Sequence, residues 1–124
     1  MMRITRLLHA SLLVSDLARA RAFYEGLLGL APSPERPDLG FAGVWYELGE
    51  TQLHLLALPN PDPCEGRPAH GGRDRHLALA VEGWEGLRQR LDRQGIPYTL
   101  SRSGRRALFV RDPDGNALEL IDAG

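Results

Sequence analysis

The chain contains no lysine, a single cysteine and few aromatic residues, and none of its apolar runs approaches the length of a membrane span. Without lysine, all 15 of its fixed cations are arginine guanidinium groups, and they are balanced by 16 Asp and Glu to a formal net charge of −1. That balance gives no general attraction to nucleic acid. Arginine without lysine also follows from GC-rich codon usage and by itself points to no ligand. One cysteine excludes an intrachain disulfide. Cys64 stands among Pro61, Asp62, Pro63 and Gly66 in an apparent loop with no neighbouring histidine to activate it, so it is assigned no catalytic role. Crossing a bilayer takes about 20 consecutive apolar residues, and no such segment is present, which excludes a helical membrane span. The start, Met1-Met2-Arg3-Ile4-Thr5-Arg6, runs into a short alternating strand rather than an apolar core with a cleavage site, which predicts a cytoplasmic protein.

What is present is a duplication. Leu8-His9-Ala10-Ser11-Leu12-Leu13-Val14 and Arg75-His76-Leu77-Ala78-Leu79-Ala80-Val81 read alike. Each opens a half that closes on another potential metal ligand, His54 in Leu53-His54-Leu55 and Glu119 in Leu118-Glu119-Leu120. With 124 residues, the chain fits one compact α+β domain, which buries roughly two-thirds of the surface of its unfolded chain. Module 1 is expected at about 5–60, a Pro- and Gly-rich linker at about 59–73, and module 2 at about 74–124.

The first half predicts a strand over 8–14, an N-cap at Asp16, and a helix carrying Leu17, Ala20, Phe23, Tyr24, Leu27 and Leu28 until Gly29 closes it. Phe41 to Leu48 and Gln52 to Leu58 then read as two strands around Gly49-Glu50. The second half predicts a strand over 76–81, a helix with Trp84, Leu87 and Leu91 on one face stopped by Gly95 and Pro97, and strands over 98–102, 107–111 and 117–121. Asp112-Pro113-Asp114-Gly115-Asn116 is a strong turn signal, because Pro presets one backbone angle and Gly and Asn tolerate positive ones. Each half is then βαβββ. Alternation tests the ligand reading: if Leu53, Leu55, Leu118 and Leu120 pack on the helix side, His54 and Glu119 face away, as His9 and His76 do.

These residues carry a resemblance. His9-Ala10-Ser11-Leu12-Leu13-Val14-Ser15-Asp16-Leu17, Phe23-Tyr24 with Leu28-Gly29-Leu30, the His76 strand, and Asp112-Pro113-Asp114-Gly115-Asn116 running into Leu118-Glu119-Leu120 resemble the vicinal oxygen chelate superfamily. It includes glyoxalase I, fosfomycin-resistance enzymes, methylmalonyl-CoA epimerase, extradiol dioxygenases and bleomycin-binding resistance proteins. The resemblance covers nearly the whole chain. It implies paired βαβββ modules around one divalent metal, with ligands at the positions of His9, His54, His76 and Glu119, and modules paired between chains of a homodimer.

Imidazole and carboxylate donors suit Zn, Ni, Fe, Mn or Co, and open positions would let oxygen atoms of a small-molecule substrate bind the metal. Lyase, isomerase, thiol transferase and dioxygenase chemistry all remain open. The resemblance implies a catalytic base at Glu119, since His54 stands where bacterial glyoxalase I has Glu. A His, His, Glu subset also matches the facial triad of non-haem iron oxygenases, with His54 either a fourth ligand or a donor just outside the set. Arg73 and Arg75, before His76, and Arg105, in the loop Ser101 to Arg106, are candidates to hold a carboxylate or phosphate; solvated or salt-bridged loops would look the same. Tyr98 lines the cup or covers the core, His70-Gly71-Gly72 is a hinge or plain linker, and Trp45 and Trp84 are assigned to the core. The leading expectation is a metal-dependent enzyme acting on a small oxygenated, metal-chelating substrate. The alternative is a non-catalytic binding or antibiotic-resistance protein of the same fold.

Overall fold

A computed structural model describes all residues, Met1–Gly124, as two compact units, Met1–Pro61 and Asp62–Gly124. Their mixed strand and helix content is that of the expected α+β class. No helix is long and apolar enough to cross a membrane.

In the first unit, β1 (His9–Leu13) leads into α1 (Leu17–Arg21), which continues as a π-helical stretch over Ala22–Leu27. Asp16 caps the start by accepting the Arg19 backbone N–H. Gly29, at φ +76°, ends the helical segment with its N–H on the Glu25 carbonyl. Ala20, Phe23, Tyr24 and Leu27 recur at helical spacing and are buried. They pack with Val44, Tyr46, Leu53 and Leu55 as the apolar core of this unit. β2 (Gly43–Leu48) and β3 (Thr51–Leu56) form the hairpin around Gly49, and the sheet order is β1-β3-β2, with β1 parallel to β3. The fourth strand of this module is reduced to one bridge, Pro32 to Tyr46, beside which the Ser33 N–H reaches the Trp45 carbonyl at 2.8 Å. Pro32, Pro34 and Pro37 have no N–H to continue a ladder.

The second unit repeats the plan with its edge strand complete. β4 (His76–Val81), α2 (Trp84–Arg93), β5 (Tyr98–Leu100), β6 (Ala107–Arg111) and β7 (Ala117–Asp122) give the sheet order β4-β7-β6-β5. Trp84 is buried as expected and its indole N–H donates to the Leu120 carbonyl at 2.9 Å, fixing α2 on the sheet together with Leu87 and Leu91. The β6–β7 turn is built on Asp112. Its carboxylate accepts the N–H groups of Asp114 and Asn116 and the Asn116 side-chain amide, each at 2.9 Å.

The two registers are equivalent. In β1 and β3, Ser11 lies opposite His54; in β4 and β7, Ala78 lies opposite Glu119. Leu53, Leu55, Leu118 and Leu120 are at most 1% exposed. At about 2 kcal/mol for each leucine buried, a one-residue slip that turned these side chains to the other face is strongly disfavoured. The same period fixes His54 and Glu119 on the face away from those leucines.

Candidate functional site

The candidate ligands fall into two pairs, one in each unit. In the first, the exposed ring of His9 stacks on His54 with centroids 4.2 Å apart and an interplanar angle of 17°. The other side of His54 is covered by Trp45, at 4.4 Å and 8°. Trp45 is therefore no core residue. It is half-buried on the ligand face, because the hairpin register sets it opposite His54 and turns its neighbours Val44 and Tyr46 to the core.

His54 is 8% exposed and its Nε2–H donates to Gln52 Oε1 at 2.8 Å. The Gln52 amide in turn donates to Glu47 at 2.7 Å, which fixes the amide orientation and leaves the lone pair of His54 on Nδ1. Burial, with smaller contributions from His9 and the Arg36 charge, holds the His54 pKa below the ordinary imidazole value. A neutral imidazole is the form that binds metal.

In the second unit, His76 Nδ1–H donates to the Asp74 carbonyl at 2.8 Å, and Nε2 lies 3.5 Å from Glu119 Oε1. Asp74 is itself clamped: its carboxylate takes Arg67 at 3.1 Å, Arg111 at 2.8 Å and the Arg75 N–H at 2.8 Å. The Arg111 hydrogen bond, ahead of an opposing burial effect, holds the Asp74 carboxyl below the usual carboxylate range. An anchored Nδ1 with a directed Nε2 is the outer support that metal-binding histidines require. Nε2 and a carboxylate oxygen thus face each other, and either a proton or a metal cation between them would satisfy both.

Glu119 is only 4% exposed, and its Oε2 lies 3.4 Å from Arg105 Nη2. The structure thus brings Arg105 to a candidate ligand. It does not do so for the other substrate-binding candidates. Arg75 pairs with Asp62 at 2.9 Å and Arg73 is exposed, neither contacting His76 or Glu119. Tyr98 donates to Asp92 of α2 at 2.8 Å and accepts from Arg88 at 3.1 Å. It lies on the helix side of the sheet, since its neighbour Thr99 is the residue registered with Phe109 and hence with Glu119. His70 bonds Thr99 Oγ1 at 2.7 Å and packs edge-on to Phe109, and the buried Gly71 begins a short 3-10 turn over Gly71–Arg73. Cys64 is exposed.

Beside the expected residues, the site contains Phe109, Gln52 and Arg36 together with Trp45, which belongs here and not to the core. Phe109 lies opposite Glu119 and meets the His76 ring at 5.1 Å and 90°, the counterpart of Trp45 beside His54. Both aromatics could be found by pairing residues outward from the two turns. No group of three or more His, Cys, Asp or Glu side chains within the chain is arranged to hold a metal ion. Each unit offers two donors, and three protein ligands is the usual minimum of a catalytic zinc-type site.

Comparison with known proteins agrees with this architecture. The chain is 33% identical to the lactoylglutathione lyase of Salmonella typhimurium over 129 residues, covering 95% of this chain and 93% of the relative. A solved glyoxalase family protein from Bacillus anthracis superposes with a TM-score of 0.79 at 24% identity, covering 98% of both chains. TnmS3, an antibiotic binding protein from Streptomyces sp. CB03234, superposes with a TM-score of 0.73 at 22% identity over 100% of both chains. Residues 6–120 match the Glyoxalase/Bleomycin resistance protein/Dioxygenase superfamily, and the chain belongs to that superfamily.

Proposed function

We propose that the protein is a metal-dependent enzyme of this superfamily, with His9, His54, His76 and Glu119 as the ligands of one divalent ion. The observation that carries the reading is the equivalent register of the two donor pairs, with each second ligand opposite an aromatic residue. The two pairs share one ion when two copies of the chain pair module to module. A bound Zn, Ni, Fe, Mn or Co ion would supply Lewis-acid polarisation of a substrate oxygen.

The chain's own groups set the rest. The Asp74 carbonyl orients His76, the Trp45 ring covers one side of His54, and Phe109 packs edge-on with His76. Glu119 is the one carboxylate of the set and is therefore the group that takes a proton from the substrate. Arg105, exposed on its outer side, is available to an anionic substrate. The likeness to a lactoylglutathione lyase favours lyase chemistry on a small oxygenated compound.

Metal-loaded protein assayed with hemithioacetals, with fosfomycin plus thiol, and with catechols tests the reading. Turnover of one class is expected, lost in Glu119→Gln with metal content measured alongside. Absence of turnover in all three, with full metal loading, contradicts it. A second reading has one specific support: the flat His9–His54–Trp45 stack offers a planar surface, and TnmS3 shares the fold. A binding protein would capture an aromatic antibiotic without metal, whereas the enzyme requires the ion.

A further inference from the structure

Most arginines near the two sheets are matched by acids: Arg21 by Glu25, Arg67 and Arg111 by Asp74, Arg105 by Glu119, and Arg106 by Glu85. Arg36 is not. It lies in the Pro-rich connection before β2, half-buried, and no carboxylate pairs with it. Its guanidinium is nonetheless held in place. One nitrogen, Nη2, donates to the Phe41 carbonyl at 2.8 Å, and the guanidinium carbon lies 5.2 Å from the centre of the Phe41 ring. It also packs over Gly43, where a Cβ would come within 2.9 Å of Nη2 and 2.4 Å of the Leu55 carbonyl oxygen, so only glycine leaves room there.

Arg36 lines a pocket of about 90 Å³ together with Ser11, Leu39, Trp45 and His54. At about 30 Å³ per water molecule, that volume takes an anionic head group and its first carbon rather than a whole ligand. The body of such a ligand would lie along the half-buried Trp45 and the exposed Leu39. A guanidinium has five N–H donors in a planar fork, and the Phe41 carbonyl takes one of them. A fixed, partly desolvated cation with unused donors is stabilised by an oxyanion that meets the fork on two atoms.

We propose that Arg36 is the oxyanion-binding residue of the first unit, selecting ligands that carry a carboxylate or phosphate at the end of a flat apolar body. The inference names the charge and shape of the ligand at the His9–His54 half of the site proposed above. Its test uses chelator-treated protein, so failure of the metal reading and failure of this one are separable.

The experiment titrates benzoate, phenyl phosphate and uncharged benzamide into the full chain, read by calorimetry and by the Trp45 indole N–H signal in NMR, assigned with Trp45→Phe. Benzoate, phenyl phosphate or both should bind and shift the Trp45 signal, and whichever binds more tightly identifies the head group. Benzamide should bind at least about tenfold more weakly, as expected for losing a charge-assisted hydrogen-bond pair. Arg36→Gln should remove the preference for the anion, while Arg36→Lys, which keeps the charge and loses the fork, should retain part of it. Equal binding of benzoate and benzamide, no binding of either anion, or an unchanged preference in folded Arg36→Gln overturns the proposal. If the variants do not fold, the comparison of probes on the unaltered chain decides it.

Discussion

Tyr46 is fully buried, and the hydrogen bond its hydroxyl donates to Glu25 Oε2 at 2.8 Å ties the core of the first unit to the one acid beneath it. Burial pushes the Tyr46 hydroxyl well above the usual phenol range, whereas the Arg21 hydrogen bond holds Glu25 below the usual carboxylate range. Because the folded pKa of Glu25 lies below its unfolded value, the unfolded chain takes up the proton first as pH falls. The stabilisation is therefore complete above the ordinary carboxylate pKa and disappears as pH drops through the folded one. Urea midpoints measured from pH 7 to pH 3 should fall on the acid side, and Glu25→Gln should flatten part of that fall below about pH 4.5. Tyr46→Phe should cost about 1 kcal/mol at neutral pH by removing one of the two donors on Glu25 Oε2, the other being Arg21 Nε. An unchanged acid limb in Glu25→Gln would contradict this assignment.

The β6–β7 connection shows what an element owes to a few residues. Asp112 is 5% exposed and satisfies three N–H donors of its own turn, while Gly115 takes φ +83° with the Cys64 carbonyl 3.0 Å from where a Cβ would stand. Asp112→Ala should cost about 2–3 kcal/mol, from the loss of three part-buried hydrogen bonds to a carboxylate. Gly115→Ala should cost about 1–3 kcal/mol from backbone strain and crowding. Both are read as shifts in denaturation midpoint at constant slope, and wild-type midpoints in both would count against the turn's role in setting register.

This element is legible in the sequence because its residues act locally: Asp, Pro, Gly and Asn each impose a backbone angle or a hydrogen bond within five positions. The strand faces are legible for the same reason, since alternation is a property of neighbours. Arg36, Trp45 and Tyr98 are harder. Trp45 belongs to the ligand face through pairing with a different strand, Tyr98 is drawn to α2 by Asp92 and Arg88, and Arg36 is placed by a carbonyl, a ring and a missing side chain in a segment with no periodicity. Aromatic and arginine side chains are long enough that distant partners decide where they end.

Across the whole molecule, duplication gives each unit two donors in equivalent register, and the proposed pairing of two copies joins module 1 of one to module 2 of the other. That arrangement makes a definite prediction for mixed variants. A His9→Ala/His54→Ala chain and a His76→Ala/Glu119→Ala chain should each fail to hold metal alone. Coexpressed, they should hold about one ion per mixed dimer, because one of its two sites regains all four ligands. No recovery in a verified mixed dimer would contradict the sharing of one ion between donor pairs of two chains. The most direct measurement is metal content by elemental analysis after equilibrium dialysis against Ni or Co, for the unaltered chain and for His9→Ala, His76→Ala and Glu119→Ala. About one ion per chain is expected, with affinity reduced at least about tenfold in each variant; an unaltered chain that holds no metal above the dialysis buffer, or variants that all keep the full complement, would contradict the account.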